Sequence, residues 1–324
     1  MKFPLFDAHC DTLSTMLREG KSLAANNLCI DLRRAQTFAP YAQFFAMFGQ
    51  MTGSGVEWDR DFPLWEDPDV CFRAQYDLFQ EELAKNQDRL RHCSTAREAK
   101  TAAKEGKIAA FLSVEGAELL ACDIERLIEA HRLGISLVTL TWNNPNALSG
   151  TNCQETDRGL SDLGRQFVRT CRELGVIVDV SHISEKGFWD AAALMEGAPF
   201  VASHSNAKAL HPHSRNLTDR QFQAIAKAGG VAGINLFTVF LGDDEPDVDR
   251  VIEHIEHFLG LGGEKSISIG ADLDGCETLP RGISGIEDLG KIPEKLLKKN
   301  YPEALVCDIM YHNLMRVVED VCGI

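Results

Sequence analysis

The sequence predicts an α/β fold closed into a (β/α)8 barrel of the TIM type, with additional helices at its C-terminal end. Three observations carry that expectation. Short apolar runs alternate with stretches of helical spacing from one end of the chain to the other, the pattern of strand and crossover helix. The runs are continuously apolar, as strands are when helices cover both faces of a parallel sheet. Eight such runs fit into 324 residues, a length that suits one barrel of this kind. An open doubly wound sheet is the alternative, weakened by the absence of a G-x-G-x-x-G turn after the first run. No internal repeat, linker or low-complexity segment breaks the pattern, so 1–324 is expected to form one domain.

The first strand is the run Phe3-Pro4-Leu5-Phe6, climbing to the polar tip Asp7-Ala8-His9-Cys10-Asp11. Residues 12–36 are mixed and polar, expected as a loop with helical turns. The second strand covers 42–48 and ends at Gly49. The irregular stretch 51–68 carries Trp58, Phe62 and Trp65; it suits a lid or binding wall, or equally packing against the domain or a second subunit. Helical spacing of Phe72, Tyr76, Phe79 and Leu83 marks a helix over 71–90. Thr95 with Glu98 makes a capping box for a short helix to Lys104. The third strand, 108–114, ends at Glu115-Gly116. A helix over 124–133 stops at Gly134. The fourth strand, 136–141, leads into a loop rich in Asn, Pro and Gly. A helix over 162–174 stops at Gly175, and the fifth strand, 176–182, ends in His182. A helix over 185–195 precedes the sixth strand, 200–204, which ends in His204. Thr218 and Gln221 cap a helix to Ala228, before the seventh strand at 230–236. A helix over 247–261 precedes the eighth strand, 266–272, and helical stretches continue to the end.

Composition narrows the function. At 44% hydrophobic the chain can bury a large core, and its formal charge of −15 would be repelled by nucleic-acid phosphates. No apolar run approaches the ~18 residues of a membrane span, and the N-terminus lacks the layout of a signal peptide. The C-terminal stretch is too charged for a lipid-anchor signal. Ten cysteines without a C-x-x-C pair read as reduced thiols, and the expected setting is cytoplasmic. No nucleic-acid or membrane partner is expected, and a homodimer stays open.

Polar residues gather at the strand tips. His9 and Asp11 follow the first strand, Glu115 the third, His182 the fifth, His204 the sixth and Asp272 the eighth, the face on which such barrels build their sites. In an extended strand, residues two apart share a face, so His9 and Asp11 would aim at one point. Read alone, that pair is as well explained by a buried histidine bonded to an acid. Five strands ending in His, Asp or Glu are not. Burying that many ionisable groups costs several kcal/mol unless something compensates, and divalent cations would. The set exceeds what one catalytic ion needs. Two ions sharing a carboxylate fit better: His9 and Asp11 on one, His182 and His204 on the other, Glu115 bridging. A hydroxide held between them would attack a carbonyl, and Asp272, left over, would carry its proton to a leaving amine.

Through these residues the chain resembles the membrane (renal) dipeptidases, metallopeptidases of the amidohydrolase group. The matching pieces run nearly end to end: Asp7-Ala8-His9-Cys10-Asp11, Gln43-Phe44-Phe45, Val114-Glu115-Gly116, Leu140-Thr141-Trp142-Asn143, Asp179-Val180-Ser181-His182, Ser203-His204-Ser205, Ser214-Arg215-Asn216, Gly270-Ala271-Asp272-Leu273-Asp274-Gly275 and Asn313-Leu314-Met315-Arg316-Val317. The resemblance implies a dizinc site on His9, Asp11, Glu115, His182 and His204. It also implies hydrolysis of dipeptides, including those with a C-terminal D-residue. By the same likeness Arg215 grips the substrate's C-terminal carboxylate, and Asp272 rather than Asp274 is the acid/base. Without it, Arg215 would read as a surface salt bridge.

One position departs from the family. Its members carry a histidine after the fourth-strand Leu-Thr, credited with assisting the substrate carbonyl; here Trp142 stands there, followed by Asn143. Either an indole or amide N–H donates to the substrate at this point, or Trp142 only shapes the pocket. Two rival functions follow: another amidohydrolase reaction on a lactone, cyclic amide or amine, or metal binding without turnover. His254 and His257, three apart on an outer helix, are expected to pack or face solvent. Cys10 is expected in the core.

Overall fold

The computed structural model describes residues 2–53, 55–57, 63–154 and 158–323; Trp58 and Phe62 lie outside them. Eight parallel strands close into a barrel: β1 (Leu5–Asp7), β2 (Tyr41–Phe48), β3 (Ile108–Glu115), β4 (Ile135–Thr139), β5 (Ile177–Asp179), β6 (Val201–Ala202), β7 (Val231–Ile234) and β8 (Ile267–Ile269). Closure is completed where β1 meets β8 at Asp7↔Ile269 and where β2 runs beside β3 from Ala42↔Ala109 to Phe48↔Glu115. Helices Asp162–Leu174 and Glu185–Met195 occupy the residues expected of them. Both capping boxes form, Thr95 with Glu98 and Thr218 with Gln221.

The interior explains why the site lies at one end. Phe6, Phe44 and Phe111 point into the barrel, with ring centroids 5.1–5.4 Å apart. Ala8, Ala42, Ala109, Leu137, Ile177, Val201 and Val231 pack with them, and Tyr311, Leu314, Met315 and Val318 close the cluster from below. The C-terminal helix Asn313–Cys322 is thus the barrel's plug. Each phenylalanine buried there contributes about 1.5–3 kcal/mol. Along β3, Glu115 shares the parity of Ala109 and Phe111 and so points inward, above the apolar layer.

Four elements differ from expectation. Residues 12–36 begin with a regular helix, Thr12–Glu19, ended by Gly20 in the left-handed region (φ 63°). The helix begun near Cys71 starts at Pro68, capped by Asp67, and stops at Lys85. Leu90–His92 is then a short strand beside β3. At the ends of the irregular stretch, Gln50–Met51 and Leu64–Trp65 pair as a small parallel sheet. Strand tips are also shorter than their apolar runs, because the chain bends as it leaves the barrel. His182 (φ 68°) and Asp272 (φ 60°) sit in the left-handed region, uncommon for residues other than glycine and concentrated at functional sites. Among the described residues, no helix is long and apolar enough to cross a membrane.

Candidate metal centre

The barrel mouth brings together the six acids and histidines singled out at the strand tips. Glu115 is the last residue of β3, held between Phe48 on β2 and Thr139 on β4. His9 lies two residues beyond β1, and Asp11 occupies the N-cap position of the helix that follows (φ −99°, ψ 20°) without a side-chain capping bond. The two therefore converge through a turn, not along an extended strand as the spacing suggested. His9 Nε2 faces three carboxylates: Asp11 Oδ2 at 3.6 Å, Glu115 Oε2 at 3.6 Å and Asp272 Oδ1 at 3.8 Å. The other oxygen of Glu115 faces the opposite pair, with Oε1 3.0 Å from His182 Nε2 and 3.4 Å from His204 Nε2. Those two nitrogens are 2.8 Å apart.

The surrounding donors fix which imidazole nitrogens carry protons. Asp179, buried beneath the histidines, accepts from Thr139 Oγ1 and Ser203 Oγ at 2.6 Å and from the amides of Ser181 and Ser203 at 2.9 Å. The Ser203 hydroxyl spends its only hydrogen on Asp179, so His204 Nδ1, 2.7 Å away, must donate to it. Asn143 Oδ1, 2.8 Å from His182 Nδ1, can only accept. Both imidazoles therefore turn a bare Nε2 lone pair toward Glu115 Oε1. Three lone pairs within 3.4 Å of one another repel unless a proton or a metal cation lies among them. On the other side His9 Nε2 and Asp11 Oδ1 are buried with no hydrogen-bond partner among the described residues. The residues thus fit divalent metal by donor chemistry: imidazole and carboxylate, oriented by outer partners.

Electrostatics agree. Burial drives the His182 and His204 imidazoles well below their ordinary range, keeping them neutral. Burial also pulls His9 down, but the charges of Glu115, Asp11 and Asp272 outweigh it and raise it to about 10. This is the response of a pocket short of positive charge. Burial likewise pushes Glu115 well up and Asp272 to about 6. Asp272 Oδ2 accepts from Asn235 Nδ2 at 2.9 Å, which leaves Oδ1 turned to the cluster. Asp274 is committed elsewhere, to Thr12 Oγ1 at 2.6 Å and the Cys29 amide at 2.7 Å.

Gly275 is built into this packing, since a Cβ there would overlap both Asp11 Oδ2 and Asp272 Oδ1. Gly275→Ala is expected to push the carboxylates apart and weaken ion binding about 10–100-fold, the scale of outer-partner losses. Calorimetric titration of metal-stripped protein measures it; an affinity within twofold of the parent would refute the packing argument.

A cavity of about 840 Å³ opens over the cluster, lined by Phe48, Trp142, Asn143, Cys153, Arg215 and Phe240 among others. Arg215 is only 3% exposed, which excludes a surface salt bridge. Its Nε and Nη1 have no hydrogen-bond partner among the described residues, and Nη2 reaches only the His204 carbonyl at 3.4 Å. Trp142 packs on Phe48 (4.5 Å between centroids) and lies 6.5 Å from the His182 ring. His254 is buried on its helix, accepting from the Ala207 amide and donating to the Leu241 carbonyl; Cys10 is in the core. Sequence reasoning assigned nothing to Asp179, Ser203 or Asn235. A carboxylate at the end of β5 and a serine beside His204 were the available signals.

Comparison with known proteins places these features in context. The family model described as membrane dipeptidase (peptidase family M19) matches residues 1–323. The uncharacterised protein in the pqqA 5′ region of Klebsiella pneumoniae is 30% identical over 266 residues, 79% of this chain and 97% of its own. The solved structure of dipeptidase AC, a metallopeptidase, superposes with a TM-score of 0.88 at 28% identity, covering 100% of both chains. A metallopeptidase from Rhodobacter sphaeroides, liganded with a phosphinate mimic of the dipeptide L-Ala-D-Ala, gives a TM-score of 0.86 at 27% identity, covering 99% of this chain and 100% of its own.

Proposed function

Because the chain belongs to the membrane dipeptidase family of metallopeptidases, we propose that it hydrolyses the peptide bond of dipeptides at a centre of two divalent ions, zinc the first candidate. His9 and Asp11 would hold one ion, His182 and His204 the other, and Glu115 would bridge them. The observation that carries this reading is the division of the Glu115 carboxylate, one oxygen toward His9 and the other toward His182 and His204.

Bound ions would supply a polarised scissile carbonyl and a water that ionises near neutral pH. The side chains do the rest. Asp272, fixed at Oδ2 by Asn235, takes up the proton at Oδ1 and returns it to the leaving amine, the task of a positioned carboxylate. Arg215 binds the substrate's C-terminal carboxylate through its Nε and Nη1 N–H groups, which have no hydrogen-bond partner among the described residues. Asn143 orients His182, and Trp142 with Phe48 forms one wall of the cavity. Dipeptides with a C-terminal D-residue belong among the substrates, supported by the ligand of the Rhodobacter sphaeroides relative.

Chelation is expected to abolish turnover of a stereochemically complete dipeptide library, and two zinc ions per chain, counted by elemental analysis, to restore it. Hydrolysis that survives complete metal removal would overturn the reading. So would a metal-loaded protein that opens lactones or cyclic amides but cleaves no dipeptide.

A further inference from the structure

We infer that the cavity selects dipeptides whose C-terminal side chain is apolar, through a wall made by Phe237, Val239 and Phe240; the inference rests on Arg215 as the carboxylate anchor. All three side chains line the cavity over the metal cluster. They belong to the segment after β7, which ends in the short helix Thr238–Leu241. Phe237 and Phe240 pack edge to face with centroids 5.0 Å apart. The guanidinium carbon of Arg215 lies 5.4 Å from the Phe240 ring centroid. Val239 is 46% exposed, an apolar side chain left uncovered in the site itself.

Geometry links the wall to the end of the substrate that Arg215 would hold. In a dipeptide the terminal carboxylate and the last side chain leave the same Cα, by bonds of about 1.5 Å each. A side chain whose carboxylate sits on Arg215 therefore starts beside the surface that the guanidinium touches, and that surface is Phe240. The wall is also fixed in place. Asn216, next to Arg215, donates to the Phe240 carbonyl at 2.8 Å. The Phe237 amide donates to Asn235 Oδ1 at 2.6 Å, the same residue that orients Asp272. The Leu241 carbonyl accepts from Arg250 Nε at 2.8 Å and His254 Nε2 at 3.0 Å. A pre-positioned apolar surface favours an apolar partner and penalises a charged one, which would lose its water there. The His213 ring, 4.7 Å from Phe240, also lines the cavity, as do Arg18, Glu19 and Glu277, which are exposed and screened by solvent.

The test is kcat/KM of the metal-loaded protein on dipeptides that share one N-terminal residue and end in Gly, Leu, Phe, Asp or Lys, in both configurations. Leu and Phe are expected to exceed Gly by about 10–100-fold, with Asp and Lys below Gly. Val239→Asp should lower the Leu-to-Gly ratio at least about tenfold and raise the Lys-to-Gly ratio; Val239→Thr, which keeps the shape, should lower the first ratio less. A parent Leu-to-Gly ratio within twofold of unity, or ratios unmoved by Val239→Asp, overturns the wall as a selector while leaving the dipeptidase reading intact. Failure to cleave any dipeptide, Gly included, sinks that reading and this inference with it.

Discussion

Glu115→Gln is expected to strip the protein of both ions and abolish dipeptide hydrolysis. Each oxygen of Glu115 serves a different histidine group, and an amide keeps only one acceptor. Whichever way the amide turns, its NH2, which has no lone pair to give a cation, faces either His9 or the His182–His204 pair. Affinity on that side should fall by more than the ~10–100-fold typical of losing an outer partner, and the lost negative charge weakens the other side too. Elemental analysis after dialysis counts the ions, and circular dichroism checks that the barrel is intact. Two ions retained at parent affinity would rule out Glu115 as the bridge.

Asp272→Asn is expected to lower kcat about 10²–10⁴-fold, the usual worth of a positioned general acid/base, with both ions kept and KM little changed. The Asn side chain preserves the shape and can still accept from Asn235, so geometry is retained while proton uptake is lost. Asp272 Oδ1 also lies near enough to His9 Nε2, at 3.8 Å, to share its ion. Ion content separates the two roles. A fall in bound metal that parallels the fall in rate would make Asp272 a ligand, and near-full hydrolysis with both ions present would exclude it from proton transfer.

Much of the fold was legible because its signals are local and redundant. Continuous apolar runs locate the strands within a few residues. The Thr95 and Thr218 capping boxes and the stops at Gly134 and Gly175 are written in short motifs. Strand ends were less legible. His182 and Asp272 continue apolar runs in the sequence, but both turn into the left-handed region, a bend that no propensity demands. Residues 86–90 differ from the expected helix because Asn86 ends it earlier.

The site divides in the same way. Residue types at successive strand ends determined, from the sequence alone, that His9, Asp11, Glu115, His182, His204 and Asp272 would meet, since barrel topology sends every strand's C-terminal end to one mouth. Only the tertiary structure decided how they meet. Asp11 arrives through a helix cap; Asp179 and Asn143 set the tautomers of His204 and His182; and Asn235 aims Asp272. Arg215 is buried beside Phe240 with its Nε and Nη1 unbonded among the described residues. Such hydrogen bonds and contacts join residues tens of positions apart, with partners chosen by the packing of separate loops. Periodicity and spacing along one chain carry no record of that choice.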